Sequence, residues 1–250
     1  MRRAFKPDYS ASISRWEQIP SGSILRRAVA QQCNDAMRMS FGYHLLKIGD
    51  LSCQIDVPGC TIQHTVRLGS ATEFGASVVA MPTELPFVEN SVDAILLTHQ
   101  LDFAADPHQL LREVERVITS DGYLVVTGFN PFSFDGVAHW LSFRKHNPLR
   151  LARYFRQGRV CDWLNLLGFE IIEQRKIAHF SLLFNRQKMP SAKAQRFFKR
   201  FLSWFGSSYI IVARKREMPL SKIPTGWKLK PKFSTLGASA RHAAEQFSAD

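Results

Sequence analysis

Between Leu85 and Val126 the chain alternates two kinds of apolar pattern in a way that few folds accept. Leu85-Pro86 and Asn90-Ser91 mark a turn, after which Val92 to Leu97 forms a short, nearly continuous apolar run, as does Tyr123 to Thr127. Between these runs Asp106-Pro107 opens a helix reaching Ile118, with Leu110, Leu111, Val114 and Val117 on one face. Asp121-Gly122 supplies the turn into the second run. Apolar runs this short and this continuous suit strands covered on both faces, and a strand, an amphipathic helix and a second such strand make the repeating unit of a parallel α/β sheet.

The pattern extends in both directions. Residues 1–42 read as an N-terminal arm followed by a helix over about 24–39, opened by Ser21-Gly22-Ser23 and ended by Gly42. Strands are expected over Tyr43 to Gly49, Cys60 to Leu68 and Ala76 to Met81. Only positions 50–60 separate Gly49 from Thr61, fewer than the dozen or so residues a helical crossover needs, so the N-terminal half should be short of helices. Beyond Asn130-Pro131-Phe132, which breaks the fifth strand, Pro148 to Phe155 suggests a short helix and Arg159 to Leu167 another. Gly168 stops the latter in a left-handed cap. Phe169 to Ile172 and Tyr209 to Ala213 are two late strands. The order fits an α/β fold, a doubly wound, Rossmann-like sheet that is mostly parallel and carries a reversed last strand. Residues 43–216 are taken as one domain, with an inserted helix at about 190–205. Residues 217–250, with Pro219, Pro224 and Pro231 and few apolar side chains, read as an irregular basic tail.

Hydrophobic residues make up 45% of the 250, enough for a sizeable core. No apolar run approaches the roughly 20 residues that span a bilayer, and Lys6-Pro7-Asp8 follows Met1-Arg2-Arg3 where a leader would need apolar residues. A cytoplasmic protein is expected. Cys33, Cys53, Cys60 and Cys161 lack C-x-x-C or metal-ligand spacing and are read as reduced. The net charge of +12 is uneven. Residues 1–143 carry 11 basic and 15 acidic side chains, a net −4, whereas residues 144–216 carry 17 and 3, a net +14. Such a field suits an anionic partner, lipid or nucleic acid, or else a solvated basic face. The helix near 190–205 sets Phe197, Phe198, Phe201 and Phe205 opposite Lys193, Arg196, Lys199 and Arg200. It can pack on the sheet edge, lie on a membrane surface or over a pocket as a lid, or bind a partner.

Several stretches together resemble class I S-adenosylmethionine-dependent methyltransferases of the type 11 group. They are Leu85 to Val126, Gly168-Phe169, and Tyr209-Ile210-Ile211-Val212-Ala213-Arg214-Lys215. The resemblance covers roughly residues 43–216. His44 to Gly49, Gly128-Phe129-Asn130-Pro131 and Asp162-Trp163-Leu164 are similar to the YafS-like subgroup. The resemblance implies a small-molecule acceptor and S-adenosyl-L-methionine as cofactor. It places the cofactor against the backbone around Gly49, Asp50, Met81, Pro82 and Thr98, and puts His99 and Asn130 near the acceptor.

The first loop departs from the family pattern. Where an acid and three alternating glycines are usual, the chain reads Lys47-Ile48-Gly49-Asp50-Leu51-Ser52-Cys53, so only Gly49 matches and Leu51 is expected to crowd the cofactor's approach. No carboxylate closes the second strand at Leu68-Gly69-Ser70, and Met81 replaces the Asp usual after the third. His99, in a class of side chain whose ordinary pKa lies near neutrality, is a candidate to orient the acceptor or take its proton, or else a loop residue bonded to backbone. Two function classes follow. The first is a methyltransferase. The second is a methyltransferase-like domain that has lost its cofactor and works as a binding or scaffold protein through its basic third. Lys47 would also suit an altered pocket for an anionic ligand.

Overall fold

The computed structural model describes residues 13–133, 149, 152–177 and 206–216. The helix expected near 190–205 and the tail 217–250 lie outside these residues, as do 148, 150 and 151 of the helix expected over Pro148 to Phe155. That helix does not form as expected: 152–155 have no regular structure. The elements are α1 (Gly22–Met37), β1 (His44–Ile48), α2 (Asp50–Cys53), β2 (His64–Gly69), β3 (Val78–Val79), β4 (Val92–Thr98), α3 (Gln100–Phe103), α4 (Pro107–Val117), β5 (Ile118–Phe129), α5 (Gln157–Leu166), β6 (Phe169–Ile177) and β7 (Ser208–Lys215).

Seven strands form one sheet in the order β3-β2-β1-β4-β5-β7-β6. β1 to β5 pair in parallel, and β7 runs antiparallel between β5 and β6. This is the expected doubly wound sheet with a reversed last strand. Its N-terminal half is indeed poor in helix. The crossover from β1 to β2 keeps a single turn, α2, followed by irregular chain over 54–63, so β2 begins at His64 rather than Cys60.

Alternation along the central strands divides the core in two. Leu45, Leu96 and Val125 meet Trp16, Leu25, Val29 and Met37 of the arm and α1. On the opposite face, Leu46, Ile95, Leu97 and Leu124 meet Leu110, Leu111 and Val114 of α4 and Val160 and Leu164 of α5. α4 starts as expected: Pro107 occupies the first turn and Asp106 accepts from the N–H groups of His108 and Gln109, at 3.0 Å each. Asp106→Ala should therefore lower unfolding free energy by about 1 kcal/mol in a denaturant melt, leaving the fold intact.

Asp121-Gly122 is not a turn between elements. β5 begins at Ile118, directly after α4, and Asp121 sits inside it at φ +65°. The pairing slips there, with Val92 opposite Ile118 but Ala94 opposite Tyr123. The bulge takes up the extra residues within the ladder. β6 runs five residues past its expected end, because Glu173, Gln174 and Arg175 hide an edge strand behind a polar composition.

Candidate functional site

The order of a parallel sheet reverses between β1 and β4, and the crevice outside their carboxyl ends is where ligands of such folds bind. Gly49 lies there, immediately after β1, at φ +96° and ψ 151°, a conformation closed to residues with side chains. A Cβ at this position would collide with the side-chain carbonyl oxygen of Gln100, the first residue of α3.

Asp50 opens α2 and is buried, with its carboxylate turned toward the end of β2. Oδ1 accepts the Ser70 backbone N–H at 2.7 Å and Oδ2 accepts the Ser70 hydroxyl at 2.5 Å. Gly69 makes this approach possible, since a Cβ there would stand 2.5 Å from Asp50 Oδ1. A carboxylate thus stands where the second strand itself provides none. It comes from the first loop, and only the fold shows it.

Gly49, Asp50, Leu51, Ser70, Gln100, Phe103 and Ile13 line the cleft. Its enclosed space is about 10 Å³, room for about one water. Leu51 borders the cleft and also packs into the core. Its side chain is 3% exposed and belongs to the core, while its carbonyl accepts the Trp16 indole N–H at 3.1 Å. Lys47 does not line the cleft. It faces the α1 side of the sheet, where its ammonium donates to Ile55 O at 2.7 Å.

The other sequence candidates spread along the same edge. Thr98 is fully buried at the end of β4, with its N–H held by the Ser52 hydroxyl at 2.7 Å. Met81 and Pro82 follow β3, the former exposed and the latter buried. His99, at φ +54°, is fully buried between Trp16, edge-on at a centroid distance of 5.7 Å, and Phe129 at 4.1 Å. Its Nδ1 lies 3.0 Å from Asp102 Oδ2, which also accepts the Phe129 N–H at 3.0 Å. Burial pushes the Asp102 carboxyl above its ordinary value, and the bonds from His99 and Phe129 pull it back in part.

Asn130 has a different environment. Its amide Nδ2 donates to Gly206 O at 2.8 Å and its Oδ1 accepts the Phe132 N–H at 3.1 Å, so it ties the end of β5 to the segment entering β7. Gly128 is explained by Tyr209, whose phenol lies where a Cβ would be. The motif Gly128-Phe129-Asn130 therefore sets the ceiling over His99 and Asp102.

Among the described residues, Thr98 Oγ1, His99 Nε2, Asp102 Oδ1 and Tyr209 OH are buried without a hydrogen-bond partner. Each such group costs about 1–3 kcal/mol, so their concentration at one sheet edge marks a site built for something other than stability. Tyr209 stays protonated, because burial and then the Asp102 charge push its pKa well up. Trp16 and Tyr209 had no sequence signal beyond being aromatic. One lies in an arm without periodicity, the other in a strand that reads as plain apolar core.

Among the described residues no His, Cys, Asp and Glu group could hold a metal, all four cysteines are free, and burial pushes the Cys33 thiol up to about 12. No described helix is long and apolar enough to cross a membrane. Within the basic third, Arg175, Arg214, Lys215 and Arg216 each pair with a carboxylate, of Glu173, Asp121, Glu115 and Glu170 respectively.

A methyltransferase domain model matches residues 52–126. The chain is 37% identical over 225 residues to protein YafS of Escherichia coli K12, covering 90% of each. In fold it is similar to a methyltransferase of Thermotoga maritima, at 18% identity and TM-score 0.54, covering 77% of this chain and 92% of that one. An S-adenosylmethionine-dependent methyltransferase of Archaeoglobus fulgidus is likewise similar, at 15% identity and TM-score 0.55, with 77% and 94% covered.

Proposed function

This chain belongs to the YafS branch of the class I S-adenosylmethionine-dependent methyltransferases, and we propose that it methylates a small acceptor bearing an N–H or O–H group, with His99 receiving the acceptor's proton. S-adenosyl-L-methionine, the cofactor of this family, supplies a methyl group activated on a sulfonium. The residues at the cleft fit that cofactor chemically. Gly49 offers backbone without a Cβ, and each Asp50 carboxylate oxygen, engaged once by Ser70, keeps accepting capacity for a ribose hydroxyl. The cleft fits only after Gln100 leaves Gly49 and Ile13 shifts, since its present volume is that of one water.

The observation that carries the acceptor side is the buried pair of His99 and Asp102. Asp102 engages Nδ1 and fixes the ring through its second bond to the Phe129 N–H, leaving Nε2 without a partner. A base oriented by a carboxylate is the arrangement that lets an imidazole take a proton in one direction. As the acceptor's nitrogen or oxygen forms its bond to carbon, the proton it sheds goes to Nε2. Trp16 and Phe129 keep bulk water from that nitrogen. The remaining contribution is positioning, which in methyl transfer is the larger part. Asn130 acts by holding the loop rather than by touching the acceptor.

Two measurements test this reading. Calorimetry with S-adenosylhomocysteine should give micromolar-range binding, on the order of −8 kcal/mol, together with a raised melting temperature at saturation. Incubation with methyl-labelled cofactor and a cell extract should put label into the low-molecular-weight fraction. Binding without any labelled product in extract, at any pH, would overturn the transferase reading. The closed cleft is the one observation favouring a second reading, a domain that binds partners without transferring methyl groups. Absence of binding at millimolar ligand would select it. Docking of the basic third on anionic lipid or nucleic acid belongs to this second reading.

A further inference from the structure

The shortened crossover after β1 has a consequence on the α1 side of the sheet. Where a full helix would cover β1 and β2, there is one turn and an irregular strand of chain, and a cavity of about 300 Å³ remains between them. That is at the lower end of the volumes of small-molecule sites, about 300–1,000 Å³. Leu45, Val57, Pro58 and Ile62 give it apolar walls, and Lys47 lies at its base.

Lys47 is the unusual member. It is only 3% exposed, and the residue opposite it on β2, on the same face, is Arg67. Its ammonium has three N–H donors, and among the described residues its one hydrogen-bond acceptor is Ile55 O. The acid that contributes is Asp56, on the cavity rim, and among the described residues no ion pair joins it to Lys47. Burial is the main influence lowering the Lys47 pKa, followed by the Arg67 charge, while Asp56 acts weakly against both. Among the lining residues Lys47 is the one cation and is buried, while the one carboxylate, Asp56, is exposed at the rim; Arg67 is exposed beside the chamber rather than in it. A buried ammonium with unused donors is costly unless an anion completes it.

We propose that this cavity binds a small monocarboxylate with an apolar body, its carboxylate on Lys47 and its body against Leu45, Val57 and Ile62. The site is separate from the cofactor cleft and rests neither on the transferase reading nor on its acceptor. Dicarboxylates and inorganic phosphate carry more charge than the single Lys47 ammonium balances, and phosphate has no apolar part to bury, so they are expected to bind more weakly.

Benzoate and hexanoate are suitable probes, with benzamide as the neutral counterpart of the first. Thermal denaturation of the full chain should show a saturable rise with either carboxylate and none with benzamide. Lys47→Met should reduce carboxylate affinity at least tenfold by calorimetry, while S-adenosylhomocysteine binding stays unchanged. That variant should still fold, because an apolar side chain of similar length replaces the buried ammonium, at the cost of the bond to Ile55 O. Val57→Phe, which narrows the chamber from the crossover side, should weaken hexanoate without touching the charge. Equal carboxylate binding in parent and Lys47→Met, or no saturable shift with any monocarboxylate, would overturn the proposal. A shift with phosphate as large as with benzoate would do so too.

Discussion

Gly49→Val is expected to remove S-adenosylhomocysteine binding altogether. Two separate costs meet at this residue. At φ +96° and ψ 151° a β-branched side chain is held in a backbone conformation it avoids, a strain of roughly 1–3 kcal/mol. Its Cβ would also collide with the Gln100 side chain, which would have to swing into the cleft lined by Asp50 and Ser70. The Gly49 N–H, bonded to Leu68 O at 2.8 Å, holds the start of the first loop beside β2, so the protein should still fold, with a melting temperature several degrees lower. Gln100→Ala supplies the control. It clears the space over Gly49 and should leave ligand affinity equal to or tighter than the parent's. Gly49→Val combined with Gln100→Ala should remain unable to bind, because the backbone strain survives removal of the clash. Undiminished affinity in Gly49→Val would place the cofactor elsewhere. Leu51→Gly, by contrast, should not improve binding: it deletes a core side chain and should cost about 2–5 kcal/mol of stability.

The C-terminal half of the sheet was legible because local signals and tertiary structure agree there. β4 is buried on both faces, and a continuous apolar run is what such a strand requires. The cap at Asp106 and the left-handed Gly168, at φ +83°, follow from residue chemistry alone. The site was less legible, because its two main arrangements join residues distant in sequence. Asp50 and Ser70 read as a missing carboxylate when each strand end is considered separately. The fold supplies that carboxylate from the neighbouring loop through the gap left by Gly69. Leu51 was only partly legible for a related reason: a family pattern says which positions carry glycine, but not where a substituted side chain goes. Here it turns into the core that the shortened crossover would otherwise leave thin. His99 and Asp102 were visible as neighbours, three residues apart. Their burial was not, since it depends on Trp16, 83 positions earlier, and on Phe129.

His99→Gln and Asp102→Asn should each slow methyl transfer by about 10²–10⁴-fold, the usual contribution of a positioned base, while leaving S-adenosylhomocysteine affinity within about twofold. A purely structural pair would behave differently. The stability effects also point in opposite directions for the two variants. His99→Gln removes a ring packed between Trp16 and Phe129 and should lower the melting temperature. Asp102 is a carboxyl whose pKa burial raises on folding. The folded state therefore holds a proton that the unfolded state has released as pH climbs above the ordinary carboxylate range, and stability falls with rising pH until the raised value is passed. Asp102→Asn removes that penalty. Its melting temperature relative to the parent should rise through this window and then level off, even as transfer is lost. A more stable but slower variant is the signature of a group kept for chemistry at the expense of stability. If Asp102→Asn instead melted lower at every pH and kept its transfer rate, the pair would be a core hydrogen bond, and the acceptor's proton would leave by another route.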